Sequence, residues 1–322
     1  MEEYQNWKYD CRSDGKCFKF EVVPSEKMME PASFFKYYAL NSYSIEALTG
    51  CYVYATHPNK FNDSIDCNSQ ILNFQNASKK DLEAFYGPYY NKFLEIYETE
   101  ENLKNYISEH FKLIAYKHIG IICLATKNDS IYHWSNYSQN ASGFCVEYDV
   151  QMFPFRYFGP FPMHYVDKII PVDVRNNIPI ALLIQTNIKT KDWKNEQEWR
   201  LLVSNPKGLD FDCYDEVESY KTLFNSVDDH KRKMKYPLNA IKSITLGERF
   251  FKSPDIRRYT ITENEEEVVF LNKKTVMQRQ ILDFLENKLF VVYEIYNILG
   301  VLKLQEIKIV KLHRQIYRII KI

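Results

Sequence analysis

Short apolar runs that favour β-strands alternate with helical stretches along most of this chain, and this alternation constrains the fold more than any other feature. Runs such as 33–40, 119–126 and 143–150 are rich in Tyr, Phe, Val and Ile, residues that favour strands. Between them, 42–50 carries apolar residues at helical spacing, and 130–139 is a short helix or a tight loop. The pattern predicts an α+β fold with a mixed central sheet of about six to eight strands and flanking helices.

We expect three parts in linear order. Residues 1–32 form a peripheral N-terminal arm, because they are polar apart from one short apolar strand. Residues 33–272 form the α+β core domain. Residues 273–322 form a helical C-terminal appendage, since apolar residues recur there at intervals of three or four. The recurring residues are Ile309, Leu312, Ile316 and Ile319.

This C-terminal segment leaves two questions open. Alternation around Ile307–Ile309 makes a short strand the local rival to a helix. An amphipathic basic helix can pack on its own domain, pair with a second copy, bind nucleic acid or lie on a membrane. We expect packing, with a homodimer through the C-terminal helices as one form of it. Nucleic acid is a weaker expectation, and no membrane partner is expected.

The charge balance, the N-terminal residues and the distribution of cysteines limit the class of protein that we expect. The 42 basic and 42 acidic residues balance, which excludes a nucleic-acid binder driven by bulk charge. The opening residues are charged, so no signal peptide is predicted. The seven cysteines are scattered without any CxxC pair, as in proteins with reduced thiols. We therefore expect a cytoplasmic protein without disulfides.

Common catalytic signatures are absent from the sequence. There is no phosphate-binding glycine loop, no GxSxG and no HExxH. No His pair lies at metal-ligand spacing near Cys, so no metal is expected.

Two aromatic-rich segments nevertheless suggest binding. Asn62, Asp63 and Asp66 lie in a loop directly after an aromatic strand, where an Asx turn is the structural alternative to a ligand contact. Trp134 and Tyr137 share one face of a predicted helix, with Asn136 between them. Such a cluster can stack on a flat ring while its amide bonds the ring edge. The structural alternative is an aromatic core anchor.

A third segment, "NEQEWRLLV", carries the strongest chemical signal. If 196–204 is a strand, alternation places Glu196, Glu198 and Arg200 on one face and Trp199 on the opposite, core-directed face. Large aromatics beside these charges predict that Glu198 faces a cleft. The alternative is an exposed strand face with a weak ion pair.

Taken in order, three segments give the chain a recognisable signature: "FFKYYALNSYSIEALTGCYVYATHPNKFNDSIDC", "GIICLATKNDSIYHWSNYSQNASGFCVEYD" and "KTKDWKNEQEWRLL". Over about residues 34–250 the chain resembles the bacterial family called domain of unknown function 2971, whose members typically read YKYRS, FNDPFD, WSHYxxxHxGFCIEYD and ExEWR. The resemblance associates the chain with toxins and phage-defence effectors.

A weaker similarity links the same order of elements to the ADP-ribosyltransferase superfamily, which implies NAD as substrate. By that similarity Glu198 is catalytic and stabilises an oxocarbenium-like transition state, while Glu196 orients the acceptor. Arg200 would bind phosphate or pair with the carboxylates, and Asn62 and Asp63 would belong to the cofactor site. The candidates for stacking on nicotinamide are Tyr54, Trp134 and Tyr137.

The chain departs from the family pattern at positions that matter for catalysis. Tyr38 replaces the family Arg, while Asn136 and Ala141 replace the two His residues. Lys36, on the same strand face as Tyr38, can supply a cation, although without the bidentate fork of Arg. Three functions remain as expectations: an ADP-ribosyltransferase-like NAD-handling enzyme; a catalytically silent module that binds a nucleotide-like small molecule or a protein; and a metal-dependent nuclease.

Overall fold

The computed structural model describes residues 1–13, 18–106, 119–173, 178–204, 232–272, 275–286 and 288–322. The chain divides into two compact units, each assembled from three separate stretches. The first unit consists of Met1–Glu30, Ala55–Ile122 and Arg156–Arg232, and the second of Pro31–Tyr54, Cys123–Phe155 and Lys233–Ile322. The chain passes repeatedly between the units, unlike the predicted linear order of arm, core and appendage.

Strands outnumber helices in the part of the chain that the structure describes. The strands are β1 (Glu2–Tyr4), β2 (Trp7–Ser13), β3 (Phe18–Val23), β4 (Phe34–Tyr38), β5 (Tyr52–Tyr54), β6 (Leu72–Asn73), β7 (Ile119–Leu124), β8 (Phe144–Tyr148), β9 (Phe158–Pro162), β10 (His164–Val166), β11 (Val172–Asp173), β12 (Ile188–Thr190), β13 (Trp199–Ser204), β14 (Lys233–Lys235), β15 (Ile241–Leu246), β16 (Ile256–Thr260), β17 (Glu265–Phe270), β18 (Val291–Ile298), β19 (Val301–His313) and β20 (Ile316–Lys321). The helices are α1 (Ser42–Thr49), α2 (Lys79–Tyr86), α3 (Tyr90–Tyr97), α4 (Ile131–Tyr137), α5 (Ile178–Thr186) and α6 (Val276–Leu285). Residues 100–106 are also helical.

The first unit contains several small sheets. Strands β1, β2 and β3 form an antiparallel sheet, and a second sheet has the order β7–β13–β9. Strand β10 pairs in parallel with β12, and β6 in parallel with β11. The strands β10, β12 and β13 carry the polar groups of the candidate site.

The N-terminal strands are anchored to the rest of the first unit by His164 on β10. The Trp7 indole stacks on the His164 ring at 4.2 Å, and the Tyr9 hydroxyl lies 2.9 Å from His164 Nδ1. Burial among these rings lowers the pKa of His164 to about 4, so the imidazole is neutral at pH 7. The predicted peripheral arm is therefore an integral part of the first unit.

The second unit contains an eight-stranded sheet with the order β16–β17–β20–β19–β18–β15–β8–β4. The β15–β18 pair is parallel and the other pairs are antiparallel, so the sheet is mixed. The register aligns Val146, Ile244, Val292 and Ile307 in one buried row across four strands. These observations confirm the predicted α+β class and the mixed sheet.

The predicted helical C-terminal appendage is wrong from residue 291 onward. Helix α6 forms as expected, but β18, β19 and β20 then supply three inner strands of the large sheet. Ile309 and Ile319, assigned to one helix face from their spacing, are cross-strand partners, while Leu312 is exposed. β-Branched residues at alternate positions and a turn at Gly300 outweighed the weak helical spacing.

No helix among those described has the length and apolar character needed to cross a membrane.

Candidate functional site

The E-x-E segment does not form the continuous strand that its alternation predicted. Its first residue, Glu196, ends a 3₁₀ helix over Lys191–Glu196. Gln197 then has a left-handed backbone with φ of 43°, and β13 begins only at Trp199. Glu196 and Glu198 nevertheless lie on the same side, because both bind one lysine. Trp199 is buried, as expected of the core-directed face.

Lys189 on β12 lies at the centre of three carboxylates in the first unit. Its Nζ donates to Glu196 Oε2 at 2.6 Å and to Glu198 Oε2 at 2.7 Å, and lies 3.4 Å from Asp66 Oδ2. All four side chains are buried, and the Trp193 ring lies 5.6 Å from the ammonium. A lysine at this point supplies the positive charge that three clustered carboxylates require.

Arg200 links the same cluster to the loop after β5. Its Nη1 and Nη2 donate to the two oxygens of Asp66 at 2.9 and 2.6 Å, a bidentate geometry. Its Nε donates to Glu198 Oε1 at 2.7 Å, and Nη1 also donates to the Thr186 carbonyl at 2.6 Å. The guanidinium is 0% exposed and lies 5.0 Å from the Phe61 ring.

We call Asp66, Lys189, Glu196, Glu198 and Arg200 the buried ion network. It joins the two sequence motifs FNDSID and EQEWR through the Asp66–Arg200 pair. Ion pairs withdrawn from water contribute little net stability, but loss of one partner leaves an uncompensated charge at a cost of about 3–5 kcal/mol. The network therefore fixes the loop, β12 and β13 relative to one another within the first unit.

Glu198 is buried rather than open to a cleft. Each carboxylate oxygen already accepts a charged hydrogen bond, Oε1 from Arg200 and Oε2 from Lys189. Its backbone N–H donates to the Tyr165 hydroxyl at 2.9 Å, and burial raises the pKa of that hydroxyl. The side chain is held in one orientation and exposes only 6% of its surface.

The other two predicted site residues of the first unit, the exposed Asn62 and the half-buried Asp63, lie in the loop that Asp66 anchors. Asp63 Oδ1 accepts the Ile65 N–H at 2.9 Å, which is the Asx turn that sequence reasoning gave as the alternative.

The remaining predicted site residues belong to the second unit, and two of them are core residues. Tyr38 is buried, with its hydroxyl 3.0 Å from that of Tyr148, and burial raises its pKa. Trp134 is buried, and its Nε1 donates to the Asn128 carbonyl at 2.7 Å. The Tyr37 ring packs edge-on against Trp134 at 5.1 Å. Trp134 is thus an aromatic anchor whose indole also lines a pocket.

Four predicted residues of this unit lie nearer the surface. The half-buried Lys36 donates to the Cys123 carbonyl at 3.2 Å, and the half-buried Tyr54 ends β5 opposite Lys233. Asn136 and Tyr137 are exposed on α4. The predicted site residues are therefore divided between the two units, five in the first and six in the second.

A small, half-open pocket of about 150 Å³ lies in the second unit between α4, the loop after it and the β18–β19 hairpin. Its apolar lining is Ile131, Trp134, Ala141, Ile295 and Leu302, and its polar lining is Ser135, Asn140, Glu248, Arg249 and Asn297. The lining is therefore half apolar and half polar, so the pocket offers both hydrophobic contact and hydrogen-bonding groups.

Backbone strain is concentrated at the rim of this pocket. Gln139, Asn140 and Ala141 have φ values of 54°, 53° and 60°, so three consecutive non-glycine residues are left-handed. Such residues cost up to about 1–2 kcal/mol each and cluster at functional sites. Hydrogen bonds hold them: Ala141 N donates to the Trp134 carbonyl and Arg249 N to the Ala141 carbonyl, both at 2.8 Å.

The described ranges contain neither a disulfide nor a candidate metal-binding cluster. The five cysteines there are free thiols, and no group of three His, Cys, Asp or Glu side chains has a geometry suited to a metal. In the buried ion network the Lys189 ammonium occupies the point that the carboxylates share.

Sequence reasoning missed Lys189, which lay in an apolar run interpreted as helical. It singled out Asp66 with Asn62 and Asp63 in the loop, but did not connect Asp66 to Arg200. The sequence did contain one signal for Lys189. It is a lone charge at the end of the apolar run 178–190, and a charge that is buried with such a run needs a partner of opposite sign.

Comparison with protein-family models, curated proteins and solved structures yields no match to this chain.

Proposed function

We propose that this protein is a catalytically silent binding module and that the pocket of the second unit is its binding site. The observation that carries the proposal is the state of Glu198, whose two carboxylate oxygens are both bound by buried cations. A catalytic carboxylate must reach the reacting atoms, and this one is already committed to Lys189 and Arg200.

The pocket supports the binding half of the proposal. Its floor is apolar and includes Trp134 and Ile295, which are almost fully buried. Its rim offers the Ser135 hydroxyl, the amides of Asn140 and Asn297 and the exposed Arg249. A ligand group that suits it has an apolar body and polar or anionic edges, a description that includes a nucleotide-like molecule and an apolar segment of a protein.

Binding of the anionic fluorescent probe 8-anilinonaphthalene-1-sulfonate tests the pocket. Ser135→Trp fills it from α4, whereas Asn136→Trp places the same ring on the neighbouring exposed position outside the lining. We expect Ser135→Trp to weaken probe binding at least about tenfold and Asn136→Trp to leave it unchanged. Equal binding by both variants would contradict the site.

The competing function is an ADP-ribosyltransferase-like enzyme that consumes NAD. The observation in its favour is the pairing of Glu196 and Glu198 on one ammonium, which keeps the two carboxylates adjacent. Such an enzyme releases nicotinamide from NAD and loses this activity in Glu198→Gln. A phage-defence or toxin role would follow only from that activity.

A further inference from the structure

The apolar side of the pocket is formed by α4 and by one face of the β18–β19 hairpin. Ile295 and Asn297 are alternate residues of β18, and Leu302 is the cross-strand partner of Asn297, so all three lie on the same face of the sheet. Trp134 of α4 faces them, and its Nε1 donates to the Asn128 carbonyl. Trp134 and Ile295 also belong to one buried core cluster. The pocket therefore lies at the outer edge of this cluster and offers the indole as an aromatic surface.

The volume of about 150 Å³ limits what the pocket can hold. An apolar recess of this size accommodates a molecule as large as benzene. A ring that enters meets the Trp134 indole, and contact between aromatic rings is favourable beyond the area that it buries. The recess therefore suits a single aromatic ring, whereas a nucleobase with its sugar would extend outside it.

The polar groups of the pocket differ in whether the protein already uses them. Glu248 accepts a hydrogen bond from Lys252 at 2.8 Å, so its negative charge is paired. Asn297 Oδ1 accepts the Gly300 N–H at 2.8 Å, which leaves the amide NH₂ group as a donor. Within the described residues, no hydrogen bond or ion pair engages the exposed guanidinium of Arg249. The charge that remains for a ligand is therefore positive, and an amide donor accompanies it.

We propose that the ligand of this pocket is a small aromatic acid, with its one ring in the recess beside Trp134 and its anionic group bound by Arg249. The proposal rests on the proposed function, because it names the chemical class that occupies the same pocket. A guanidinium binds a carboxylate through two parallel hydrogen bonds, each about twice as strong as one between neutral groups. The ring and the anion thus match the apolar recess and the unpaired cation of the lining.

Titration of the full chain with phenylacetate and phenylacetamide separates the ring from the charge, since these molecules share a ring and differ only in the carboxylate. Ligand-observed NMR up to about 10 mM suits the weak binding of so small a molecule. We expect phenylacetate to bind at least about tenfold more tightly than phenylacetamide, because the neutral amide cannot form the ion pair. Acetate, which has the charge without the ring, should show no binding.

Two variants assign the charge preference to one residue. Arg249→Gln removes the guanidinium and keeps the backbone N–H that donates to the Ala141 carbonyl. It should weaken phenylacetate binding about tenfold and leave phenylacetamide binding unchanged. Arg257→Gln is the matched control, because Arg257 is exposed on the edge strand β16 and lies outside the lining. Its affinity for both molecules should equal that of wild type.

A peptide that ends in phenylalanine carries the same ring and carboxylate on a protein C terminus. We expect it to bind no more tightly than phenylacetate, since the recess holds only the ring. Binding at least about tenfold tighter would assign the pocket to a protein terminus and overturn the free acid as its ligand.

Three further results would overturn the proposal: no binding of phenylacetate, equal binding of the acid and the amide by wild type, or the same affinities in Arg249→Gln and Arg257→Gln. If one of them occurs while binding of the fluorescent probe still responds to Ser135→Trp, the aromatic acid is rejected and the pocket is retained. Loss of the probe response as well would reject the proposed function.

Discussion

Replacing Arg200 by Met tests the buried ion network most severely. The substitution keeps an unbranched side chain but removes every guanidinium hydrogen bond. Both oxygens of Asp66, Oε1 of Glu198 and the Thr186 carbonyl then lose a donor in a region without access to water. Lys189 is left beside three carboxylates, two of which have lost their second cation.

The expected cost is about 3–5 kcal/mol, the range measured when one partner of a buried ion pair is removed. This is a large part of the roughly 5–15 kcal/mol that stabilises a typical domain. Urea unfolding followed by circular dichroism should show it as a midpoint lowered by about 1–2 M. Hydrogen exchange in β12 and β13 should rise first, because the network joins these strands.

Two variants separate this explanation from a general loss of packing. Arg257→Met, on the exposed edge strand β16, should change stability by less than about 0.5 kcal/mol. Asp66→Asn combined with Arg200→Met should be more stable than Arg200→Met alone, since the three carboxylates around Lys189 then carry one negative charge fewer. The reasoning is refuted if Arg200→Met behaves like Arg257→Met, or if the second substitution adds to the loss.

Other measurable consequences concern the two units separately. The lowered pKa of His164 contributes stability that is fully present above the unfolded value of about 6.5 and is lost as pH falls towards 4. The free energy of unfolding, measured with a chemical denaturant between pH 7 and 4, should therefore fall more steeply for wild type than for His164→Phe. Equal slopes would contradict the lowered pKa of His164. Gly143→Ala should prevent correct folding of the second unit, because its Cβ would lie 1.9 Å from the Tyr38 carbonyl. Gly87→Ala meets no atom and should cost only the backbone strain of its φ of 53° and ψ of −129°, about 1–3 kcal/mol. The circular dichroism spectra and soluble yields of the two variants test this difference. Deletion of residues 291–322 removes three inner strands of the eight-stranded sheet and should give aggregation on size-exclusion chromatography; a soluble, folded product would contradict the topology.

The sequence was informative where apolar runs were short and bounded by turn residues. The strands near 34–38 and 144–148 and the helix α4 were all expected, since aromatic and β-branched residues or helical spacing identified them locally. Beyond residue 291 local patterns conflicted, and long-range pairing decided the outcome. Ile309 and Ile319 satisfy both a helical spacing and a cross-strand register, and only the second buries them against the sheet.

The candidate site was predictable only in part. Alternation placed Trp199 correctly in the core and drew attention to Glu196, Glu198 and Arg200. It could not supply Lys189 or join Arg200 to Asp66, because these contacts depend on how distant strands and loops pack. The same limit applies to the pocket, whose lining comes from α4, the turn after β15 and the β18–β19 hairpin.

Nicotinamide release from NAD by the purified full chain is the most direct test of whether Glu198 is a catalytic or a structural group. We expect no release above the enzyme-free background at high protein concentration over many hours, and no difference between wild type and Glu198→Gln. Melting of the two proteins should differ, since Glu198→Gln removes a charge that Lys189 and Arg200 both bind. Release by wild type that falls about 10²-fold or more in a folded Glu198→Gln variant would contradict the account and identify Glu198 as catalytic.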